Sequence, residues 1–310
     1  MDPLLVILGP TAVGKTEVAI KVAQQLNGEI ISADSMQIYR CLDIGTAKPS
    51  VAQRKGIPHH LMDIVYPWER YNVVRFQRDT RRLIKEIAER DRLPIMVGGT
   101  GLYISAVLDN YDFSHGGPDL LLRRQLAKKA HDYGPQKLHK KLSLIDPTAA
   151  KKIQPTDTRR IIRALEVSAS GHRFSAALKG PPLYRSVQIG LTKERSKLYE
   201  AINRRVEDMF NAGLLEEAKW LRDQNLPLDL PALQALGYKE IFPYFDGQAT
   251  IDEVKENLKR RTRRLAKRQL TWFRRDKRII WLDREQYHNI DALVDRIISI
   301  AEGKLEVKHE

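Results

Sequence analysis

The sequence predicts an α/β fold in which a parallel β-sheet is flanked by helices. Short apolar runs, typical of buried strands, occur at residues 4–8, 30–31, 94–97, 187–191 and 279–282. Helical patterns such as 74–90 separate the early runs, and strands that alternate with helices form parallel sheets. The first run leads into a glycine-rich loop and then a helix, which is the arrangement of P-loop NTPases. The predicted fold is therefore a P-loop NTPase-like sheet.

The glycine-rich loop reads GPTAVGKT and matches the phosphate-binding pattern G-x-x-x-x-G-K-[ST]. Its two glycines allow consecutive backbone amides to point at phosphate oxygens. The lysine adds a positive charge, and the threonine hydroxyl is a candidate ligand of Mg²⁺. The predicted polyphosphate-binding residues are Gly9, Pro10, Thr11, Ala12, Val13, Gly14, Lys15 and Thr16, with Thr16 as the magnesium ligand. The loop alone identifies neither the polyphosphate nor the reaction.

Composition and charge restrict the class of protein. The 310 residues are 42% hydrophobic, which suits a folded core, and 53 Lys and Arg exceed 39 Asp and Glu for a net charge of +14. This excess favours a polyanionic partner larger than one nucleotide, with a merely basic enzyme as the alternative. No apolar run reaches the roughly 20 residues that span a bilayer, and no signal peptide is recognisable. We therefore expect a cytoplasmic protein without membrane contact.

The chain has a single cysteine, Cys41, so a disulfide within the chain is impossible. A reducing compartment fits this composition. We expect the thiol to be buried or half-buried and not to act as a nucleophile.

Three segments of the chain differ in their sequence pattern. Residues 1–113 contain the early strands and form the first part of the P-loop core. Residues 114–184 contain no convincing strand and are typical of short helices separated by Gly-Pro turns, with Thr156 or Asp157 as one helix N-cap. We predict an all-helical insertion domain for this segment. Residues 185–310 return to the sheet and complete the core with basic C-terminal helices.

Long helical patterns occur at 197–224 and 251–275, and the second is rich in cations. Its cations, with those just after it, are Lys259, Arg260, Arg261, Arg263, Arg264, Lys267, Arg268, Arg274, Arg275, Lys277 and Arg278. Only Glu256 and Asp276 oppose them, so RNA or diphosphate contact is favoured over a merely solvated helix face. A second basic cluster, on the insertion, consists of Arg159, Arg160 and Arg163.

Two further sites follow predicted strands. Asp34 comes directly after the second apolar run, where a carboxylate can hold Mg²⁺, act as a general base or simply cap a helix. Residues 35–40 mix hydrogen-bonding and flat side chains, which suits a flipped nucleobase better than a metal. The run 94–97 ends in GGT instead of a Walker B aspartate. These glycines indicate close approach to a ligand, or only a tight turn, and Thr100 places a hydroxyl where open α/β sheets bind substrates.

Eight motifs cover nearly the whole chain. They are GPTAVGKT at 9–16, DSMQIYR at 34–40, DIGTAKP at 43–49, GIPHHLMDI at 56–64, VGGTGLY at 97–103, DTRRIIRALEV at 157–167, LGYKE at 236–240 and TRRLAKRQLTWFRR at 262–275. Together and in this order they resemble the bacterial tRNA dimethylallyltransferases, also called tRNA isopentenyltransferases. The phosphate-binding loop is generic, whereas DSMQIYR, GGTGLY and LAKRQ followed by WFR are specific.

The resemblance implies a reaction and a set of partners. The family transfers the dimethylallyl group of dimethylallyl diphosphate to N6 of the adenine 3′-adjacent to the anticodon in tRNA, and it releases diphosphate. Mg²⁺ is the implied cofactor, the anticodon stem-loop is the implied RNA contact, and we expect a monomer. The phosphate-binding loop then holds a leaving group without hydrolysing ATP.

The resemblance also implies roles for particular residues. Asp34 is the base that takes a proton from the amine, and Thr100 orients the amine or a diphosphate oxygen. An arginine grips the diphosphate; the matching position is Arg205, with Arg204 as the alternative. The residues implied to contact tRNA are Asp34, Ser35, Met36, Gln37, Thr100, Arg123, Asp157, Thr158, Arg159, Arg160, Ile161 and Arg163.

Other functions remain open from the sequence. A P-loop small-molecule kinase would transfer the γ-phosphoryl group of ATP with the insertion as its lid, but the missing Walker B aspartate argues against it. A non-catalytic RNA-binding ATPase module would need no carboxylate beside the phosphate-binding loop. Metal ligation by His59 and His60 is disfavoured because adjacent residues point to opposite faces of a strand, which leaves a structural or substrate-shaping role.

Overall fold

The computed structural model describes residues 1–113, 119–176, 179–227 and 229–306. The chain divides into two compact units, one made of Met1–Leu108 with Pro182–Glu310 and the other of Asp109–Pro181. The second unit occupies most of the predicted insertion at 114–184, whose first residue lies outside the described ranges. The first unit is therefore discontinuous in sequence.

The first unit contains a six-stranded sheet. Its strands are Asp2–Leu8 (β1), Gly28–Ala33 (β2), His59–His60 (β3), Leu93–Gly98 (β4), Tyr184–Thr192 (β5) and Ile280–Asp283 (β6). They lie in the order β3-β2-β4-β1-β5-β6, and every neighbouring pair is parallel. The parallel sheet and its five longer strands confirm the sequence prediction. The short strand β3 was not predicted, because two residues are too few to show the hydrophobic alternation by which a strand is recognised.

The helices of the described residues follow in chain order. They are Lys15–Gln25 (α1), Val73–Ala88 (α2), Gly101–Leu108 (α3), Leu120–Tyr133 (α4), Pro135–Ile145 (α5), Pro147–Lys152 (α6), Thr158–Ala169 (α7), Arg195–Asn211 (α8), Leu214–Asp223 (α9), Phe242–Phe245 (α10), Ile251–Phe273 (α11) and Ile290–Leu305 (α12). Among these described helices, none combines the length and the apolar character needed to cross a lipid bilayer.

Side chains of β1 alternate between the two faces of the sheet. Leu4, Val6 and Leu8 belong to a buried cluster that also contains residues of α2, α3, α9 and α11. Leu5 and Ile7 belong to a second cluster that contains residues of α1 and α12. Each face of the sheet is therefore buried under helices, as a parallel sheet requires.

The strand order brings three loops to one edge of the sheet. In a parallel sheet the carboxyl ends of all strands share an edge, and open α/β sheets bind ligands there. Because β4 lies between β1 and β2, the turn at 98–100 lies between the phosphate-binding loop and Asp34.

The predicted helical stretch at 197–224 is helical and consists of two helices. α8 ends at Asn211, and α9 begins at Leu214. Between them Gly213 has a φ of 98°, a left-handed conformation that glycine adopts readily and that commonly ends a helix.

α11 is a single helix of 23 residues, close to the predicted 251–275. It begins with a capping box: Thr250 accepts a hydrogen bond from the backbone of Glu253, and the Glu253 carboxylate accepts one from the backbone of Thr250. Its buried stripe consists of Val254, Leu258, Thr262, Ala266 and Phe273. One side of this cation-rich helix is therefore anchored in the core of the first unit.

The second unit is helical, as predicted, and has its own hydrophobic core. That core includes Leu126, Ala130, Leu138, Leu142, Ile161 and Leu165. Asp157 is the N-cap of α7, because its carboxylate accepts a hydrogen bond from the Arg160 amide at 3.1 Å. The two ends of the unit lie side by side: the Gly180 amide donates to the Asn110 carbonyl at 3.0 Å, and the Asn110 side chain donates to the Pro181 carbonyl at 3.1 Å.

Cys41 is exposed, so the expectation of a buried or half-buried thiol is wrong. The residue adopts a φ of 62°, in the left-handed region. Its neighbours Tyr39 and Leu42 are fully buried. The turn therefore uses these two larger side chains for the core and directs the thiol to solvent.

Candidate active site

A cavity lies at the carboxyl edge of the sheet in the first unit. Its lining includes Thr11, Lys15, Thr16, Ser32, Asp34, Gln37, Gly99, Arg205 and Gln269. The structure thus brings together the phosphate-binding loop, the predicted base and one of the two candidate arginines. Arg205 lines the cavity, whereas Arg204 is exposed.

The shape of the phosphate-binding loop depends on its glycines. Gly14 has a φ of 93°, and a Cβ there would lie 1.7 Å from Nη1 of Arg284. The Arg284 guanidinium donates to the Val13 carbonyl at 3.3 Å and pairs with Glu17 at 3.2 Å. Arg284 follows β6, so the loop is braced by a residue that is distant in sequence.

Two cations meet inside the cavity. Burial and the nearby charge of Arg205 lower the pKa of Lys15 to about 7, while Asp34 opposes the shift. Lys15 donates to the Pro10 carbonyl at 2.7 Å. Burial also lowers the pKa of Arg205, which donates to the Thr11 hydroxyl at 3.4 Å. Since these desolvated cations repel each other, an anion placed between them would be stabilised.

The two oxygens of Asp34 have different environments. Oδ1 accepts a hydrogen bond from the Met36 amide at 2.9 Å, which forms a local turn. No helix begins at residues 34–40, so the helix-cap alternative is wrong. Oδ2 has no hydrogen-bond partner within the described ranges. Thr100 lies beside this turn, where its Oγ1 accepts a hydrogen bond from the Ser35 amide at 3.1 Å. One oxygen of Asp34 therefore serves the fold, and the other is free to accept a proton.

The side-chain amide of Gln37 is oriented by the protein itself. Its Nε2 donates to the carbonyls of Thr46 and Ala47, each at 3.3 Å. Its Oε1 accepts a hydrogen bond from the Ser32 hydroxyl at 3.0 Å. The segment carrying these carbonyls thus fixes one polar wall of the cavity.

Glu217 on α9 holds that same segment in place, a role that sequence reasoning missed. Its carboxylate accepts hydrogen bonds from the consecutive amides of Asp43, Ile44 and Gly45 at 2.7, 2.9 and 2.9 Å. It also accepts one from the Tyr238 hydroxyl at 2.7 Å. The DIGTAKP and LGYKE motifs contain these partners, so the motifs gave a signal without revealing the contact.

Gln269 on α11 was also missed as a site residue. Its Oε1 accepts a hydrogen bond from the Thr11 amide at 2.9 Å, and its Nε2 donates to the Gly99 carbonyl at 3.0 Å. The only sequence signal was its place in the LAKRQ motif. The side chain joins the phosphate-binding loop to the glycine turn after β4.

Comparison with known proteins identifies the family. The family model for IPP transferase matches residues 37–276. This chain belongs to the IPP transferase family. Among curated relatives, the tRNA dimethylallyltransferase of Carboxydothermus hydrogenoformans is 48% identical over 97% of this chain and 97% of its own length. That of Geobacillus kaustophilus is 49% identical over 99% of this chain and 98% of its own.

Solved structures agree with the family assignment. The full-length tRNA isopentenylpyrophosphate transferase of Bacillus halodurans superposes with a TM-score of 0.76 at 46% identity, covering 99% of this chain and 97% of that one. A eukaryotic dimethylallyltransferase acting on tRNA gives a TM-score of 0.84 at 29% identity, covering 100% of this chain and 81% of that one. The predicted fold class and the predicted resemblance are thereby confirmed.

In this IPP transferase, two of the arginines implied to contact tRNA share one buried partner. Arg123 and Arg163 both pair with Glu166, whose side chain is only 1% exposed. Burial alone would raise the pKa of Glu166, but hydrogen bonds from the two arginines hold it below its ordinary value. Both arginines therefore stabilise the second unit, whatever else they contact.

The remaining residues implied to contact tRNA on α7 divide by exposure. Arg159 and Arg160 are exposed, and Thr158 is half-buried. Ile161 is fully buried in the core of the second unit. Its side chain is not available to RNA, so the implied contact is wrong for that side chain. The physical reason is that Ile161 belongs to the apolar stripe of an amphipathic helix.

Part of the predicted cationic face of α11 is engaged inside the first unit. Lys255 and Lys259 pair with Glu207 at 3.0 and 2.7 Å, and Arg261 lies 3.5 Å from Glu240. Along α11 and the residues just after it, the exposed cations that form no ion pair within the described ranges are Arg260, Arg264, Lys267, Arg268, Arg274, Arg275 and Lys277. These seven define the exposed basic face of α11.

The two adjacent histidines have separate structural contacts. His60 Nε2 lies 2.6 Å from Oε2 of the buried Glu29, and His59 Nδ1 lies 2.8 Å from the Ile57 carbonyl. Burial lowers the pKa of His59, which lines the cavity. Within the described ranges, no group of three or more His, Cys, Asp or Glu side chains could hold a metal ion. The contacts instead attach β3 and its flanking segment to β2.

Proposed function

We propose that this chain transfers the dimethylallyl group of dimethylallyl diphosphate to N6 of the adenine 3′-adjacent to the anticodon in tRNA, releasing diphosphate. The observation that carries the proposal is one cavity in which a phosphate-binding loop faces a carboxylate with a free oxygen. The names of the relatives support this activity.

The phosphate-binding loop serves the leaving group in this reaction. The bond between C1 of the dimethylallyl group and the diphosphate oxygen breaks, and that oxygen keeps the electron pair. Lys15 and Arg205 would stabilise the charge that develops there, because both cations line the cavity and are desolvated. The loop therefore needs no phosphoryl-transfer step.

Asp34 serves the nucleophile. As N6 forms its bond to C1, the amine must lose a proton, and Oδ2 of Asp34 is the acceptor. Thr100 acts on this group through Ser35, whose amide it holds next to Asp34. The adenine must leave its stack to reach a cavity of this kind. Gln37, with its amide already oriented, would form part of the wall that receives the base.

The donor set of the cavity fits Mg²⁺. Mg²⁺ commonly keeps several waters and binds through one or two protein oxygens together with substrate phosphates. Thr16 offers a hydroxyl in the cavity, at the end of the loop that would hold the substrate phosphates, and water would fill the remaining positions. When bound, the ion would offset negative charge on the departing diphosphate.

The kinase alternative gains no support. The matched family and the relatives described above are named as transferases of an isopentenyl or dimethylallyl group, not as kinases. The turn after β4 also carries Gly99 and Thr100 in place of a Walker B aspartate. A binding module without catalysis gains no support either, because the relatives are named as transferases.

One assay tests the proposal. The protein is incubated with dimethylallyl diphosphate, Mg²⁺ and unmodified tRNA, and the anticodon-loop fragment is weighed by mass spectrometry. We expect a mass gain of one dimethylallyl group, and none when guanosine replaces the target adenosine. Hydrolysis of ATP without any mass gain in the tRNA would overturn the proposal.

A further inference from the structure

We propose that Gln269 is a positioning residue that sets the separation between the diphosphate-binding loop and the Asp34–Thr100 pair. The inference rests on the proposed function. Gln269 touches neither reacting atom in this scheme. It acts through two backbone groups, one on each side of the cavity that it helps to line.

The first step is the pair of hydrogen bonds. Oε1 accepts from the Thr11 amide at 2.9 Å, and Nε2 donates to the Gly99 carbonyl at 3.0 Å. Both partners are main-chain atoms, so the contact fixes loop positions and not merely side chains. A side chain that makes both bonds at once must carry a donor and an acceptor, as the glutamine amide does.

The second step links Gly99 to the predicted base. Gly99 directly precedes Thr100, whose Oγ1 accepts a hydrogen bond from the Ser35 amide at 3.1 Å. Ser35 directly follows Asp34. A continuous series of contacts therefore runs from the loop that would hold the leaving group to the carboxylate that would receive the proton. Small errors in such a separation are costly, since catalysis by proximity requires near-attack geometry.

The third step is the rigidity of the support. Gln269 is anchored on α11 between the buried residues Ala266 and Phe273. Trp272, one turn further along, packs so closely on the glycine turn that a Cβ on Gly101 would lie 2.4 Å from its ring. A Cβ on Gly99 would lie 2.3 Å from Nε2 of Gln269. Glycine at positions 99 and 101 therefore leaves the space that Gln269 and Trp272 of α11 occupy.

The experiment compares Gln269→Leu and Gln269→Glu with the unaltered protein. Leucine removes both hydrogen bonds at similar volume. Glutamate keeps an acceptor for Thr11 but replaces the donor to Gly99 with a negative charge. We expect kcat for dimethylallyl transfer to fall about 10- to 100-fold in both. The dissociation constant for tRNA and the melting temperature should stay close to those of the unaltered protein. Gln224→Leu, at the exposed glutamine that directly follows α9, is the matched control and should behave as the unaltered protein.

A double-mutant cycle separates positioning from a general structural effect. In Gly99→Ala the new Cβ must displace Gln269, whereas Gln269→Ala leaves room for it. We expect the double variant to lose no more kcat than Gln269→Ala alone. Losses that simply multiply would overturn the proposal, as would a kcat for Gln269→Leu equal to that of the unaltered protein.

Binding of inorganic diphosphate, measured by calorimetry without tRNA, keeps this proposal distinct from the proposed function. Gln269→Leu should weaken that binding about fivefold, because the loop loses the bond that restrains Thr11. Absence of transferase activity in the unaltered protein would defeat the proposed function yet leave this readout intact. Unchanged diphosphate affinity in Gln269→Leu would defeat the positioning role.

Discussion

The proposed mechanism assigns two tasks to the carboxylate of Asp34. Its Oδ1 closes the turn that carries Ser35 and Met36, and its Oδ2 would accept the proton. Asparagine is therefore a sharper substitution than alanine, because its amide oxygen can still accept from the Met36 amide. The structural and catalytic roles of this residue can be separated by chemistry at a single atom.

We predict that Asp34→Asn lowers turnover about 10²–10⁴-fold, since an amide cannot take the proton from the adenine amine. Melting temperature and tRNA affinity should change little, because the turn survives. Asp34→Ala should show the same loss of turnover and also a lower melting temperature. Single-turnover kinetics and thermal unfolding check both. Near-normal turnover in Asp34→Asn would exclude the base role.

The pKa of Lys15 makes a second prediction at this scale. In the free protein the ammonium is lost as pH rises through about 7, and a bound diphosphate favours the protonated form. Diphosphate binding above that pH should therefore be accompanied by uptake of a proton. The affinity for diphosphate should weaken by up to about tenfold for each unit by which the pH rises.

Calorimetry in buffers of different ionisation enthalpy measures that proton uptake. Ionisation of the diphosphate itself is common to all variants, so Lys15→Arg, which stays charged, supplies the correction. Equal uptake by the two proteins would contradict the role of Lys15.

Residues within contiguous motifs were predictable, and residues that join distant segments were not. The loop and Asp34 could be found because each follows an apolar run at a fixed spacing. Gln269 and Glu217 act on backbone groups of residues far away in the sequence, such as Gly99 and Gly45. No local spacing encodes such contacts, since they depend on how α11 and α9 pack against the sheet.

At the scale of elements, the two sides of α11 have different environments. Its buried stripe and Gln269 face the core and the cavity, while the exposed basic face of α11 meets solvent. Sequence reasoning overestimated that face, because Lys255 and Lys259 are paired with Glu207. Cation density could be counted from the sequence, but ion pairing could not.

We predict that Arg264→Gln, Lys267→Gln and Arg268→Gln each weaken tRNA binding. For every phosphate that is no longer neutralised, the slope of log Kd against log salt should become shallower by about 1. Arg296→Gln, which removes an exposed charge from α12, is the control. Filter binding at several salt concentrations measures the slopes. A slope that falls equally in the control would show only a non-specific effect of net charge.

On α7, neighbouring arginines should respond differently. Arg159 is exposed, so Arg159→Ala should weaken tRNA binding and leave the melting temperature unchanged. Arg163 pairs with the buried Glu166, so Arg163→Ala should destabilise the second unit by about 1–2 kcal/mol. This cost is smaller than that of breaking a fully buried ion pair, because Arg123 still pairs with Glu166. Thermal unfolding and tRNA titration distinguish the two. The reverse pattern would contradict the assignment.

The elements themselves were largely predictable where they are long. Five strands and the helical nature of the insertion follow from the spacing of apolar residues and from the Gly and Pro residues that mark turns. β3 has only two residues, and its place is set by pairing with Ile30 and Ile31. The break at Gly213 depends on a left-handed backbone that glycine permits but does not by itself demand.

At the scale of the whole molecule, the sheet is built without the second unit. All six strands and the cavity belong to Met1–Leu108 and Pro182–Glu310. We predict that replacing 112–178 with a short glycine linker leaves a folded protein that still binds diphosphate but no longer binds tRNA tightly. Circular dichroism and calorimetry test this. A variant that is unfolded, or that keeps full tRNA affinity, would contradict it.

The hydrogen bonds between Asn110 and the segment Gly180–Pro181 also have an evolutionary consequence. A segment whose two ends are already joined enters and leaves its host at one point, so a change in its length costs the host little loop entropy. Such a segment can be lengthened, shortened or exchanged as a block while the first unit is inherited unchanged. If the second unit binds the RNA, as we propose, selection on RNA recognition and selection on group transfer can act on separate parts of one gene.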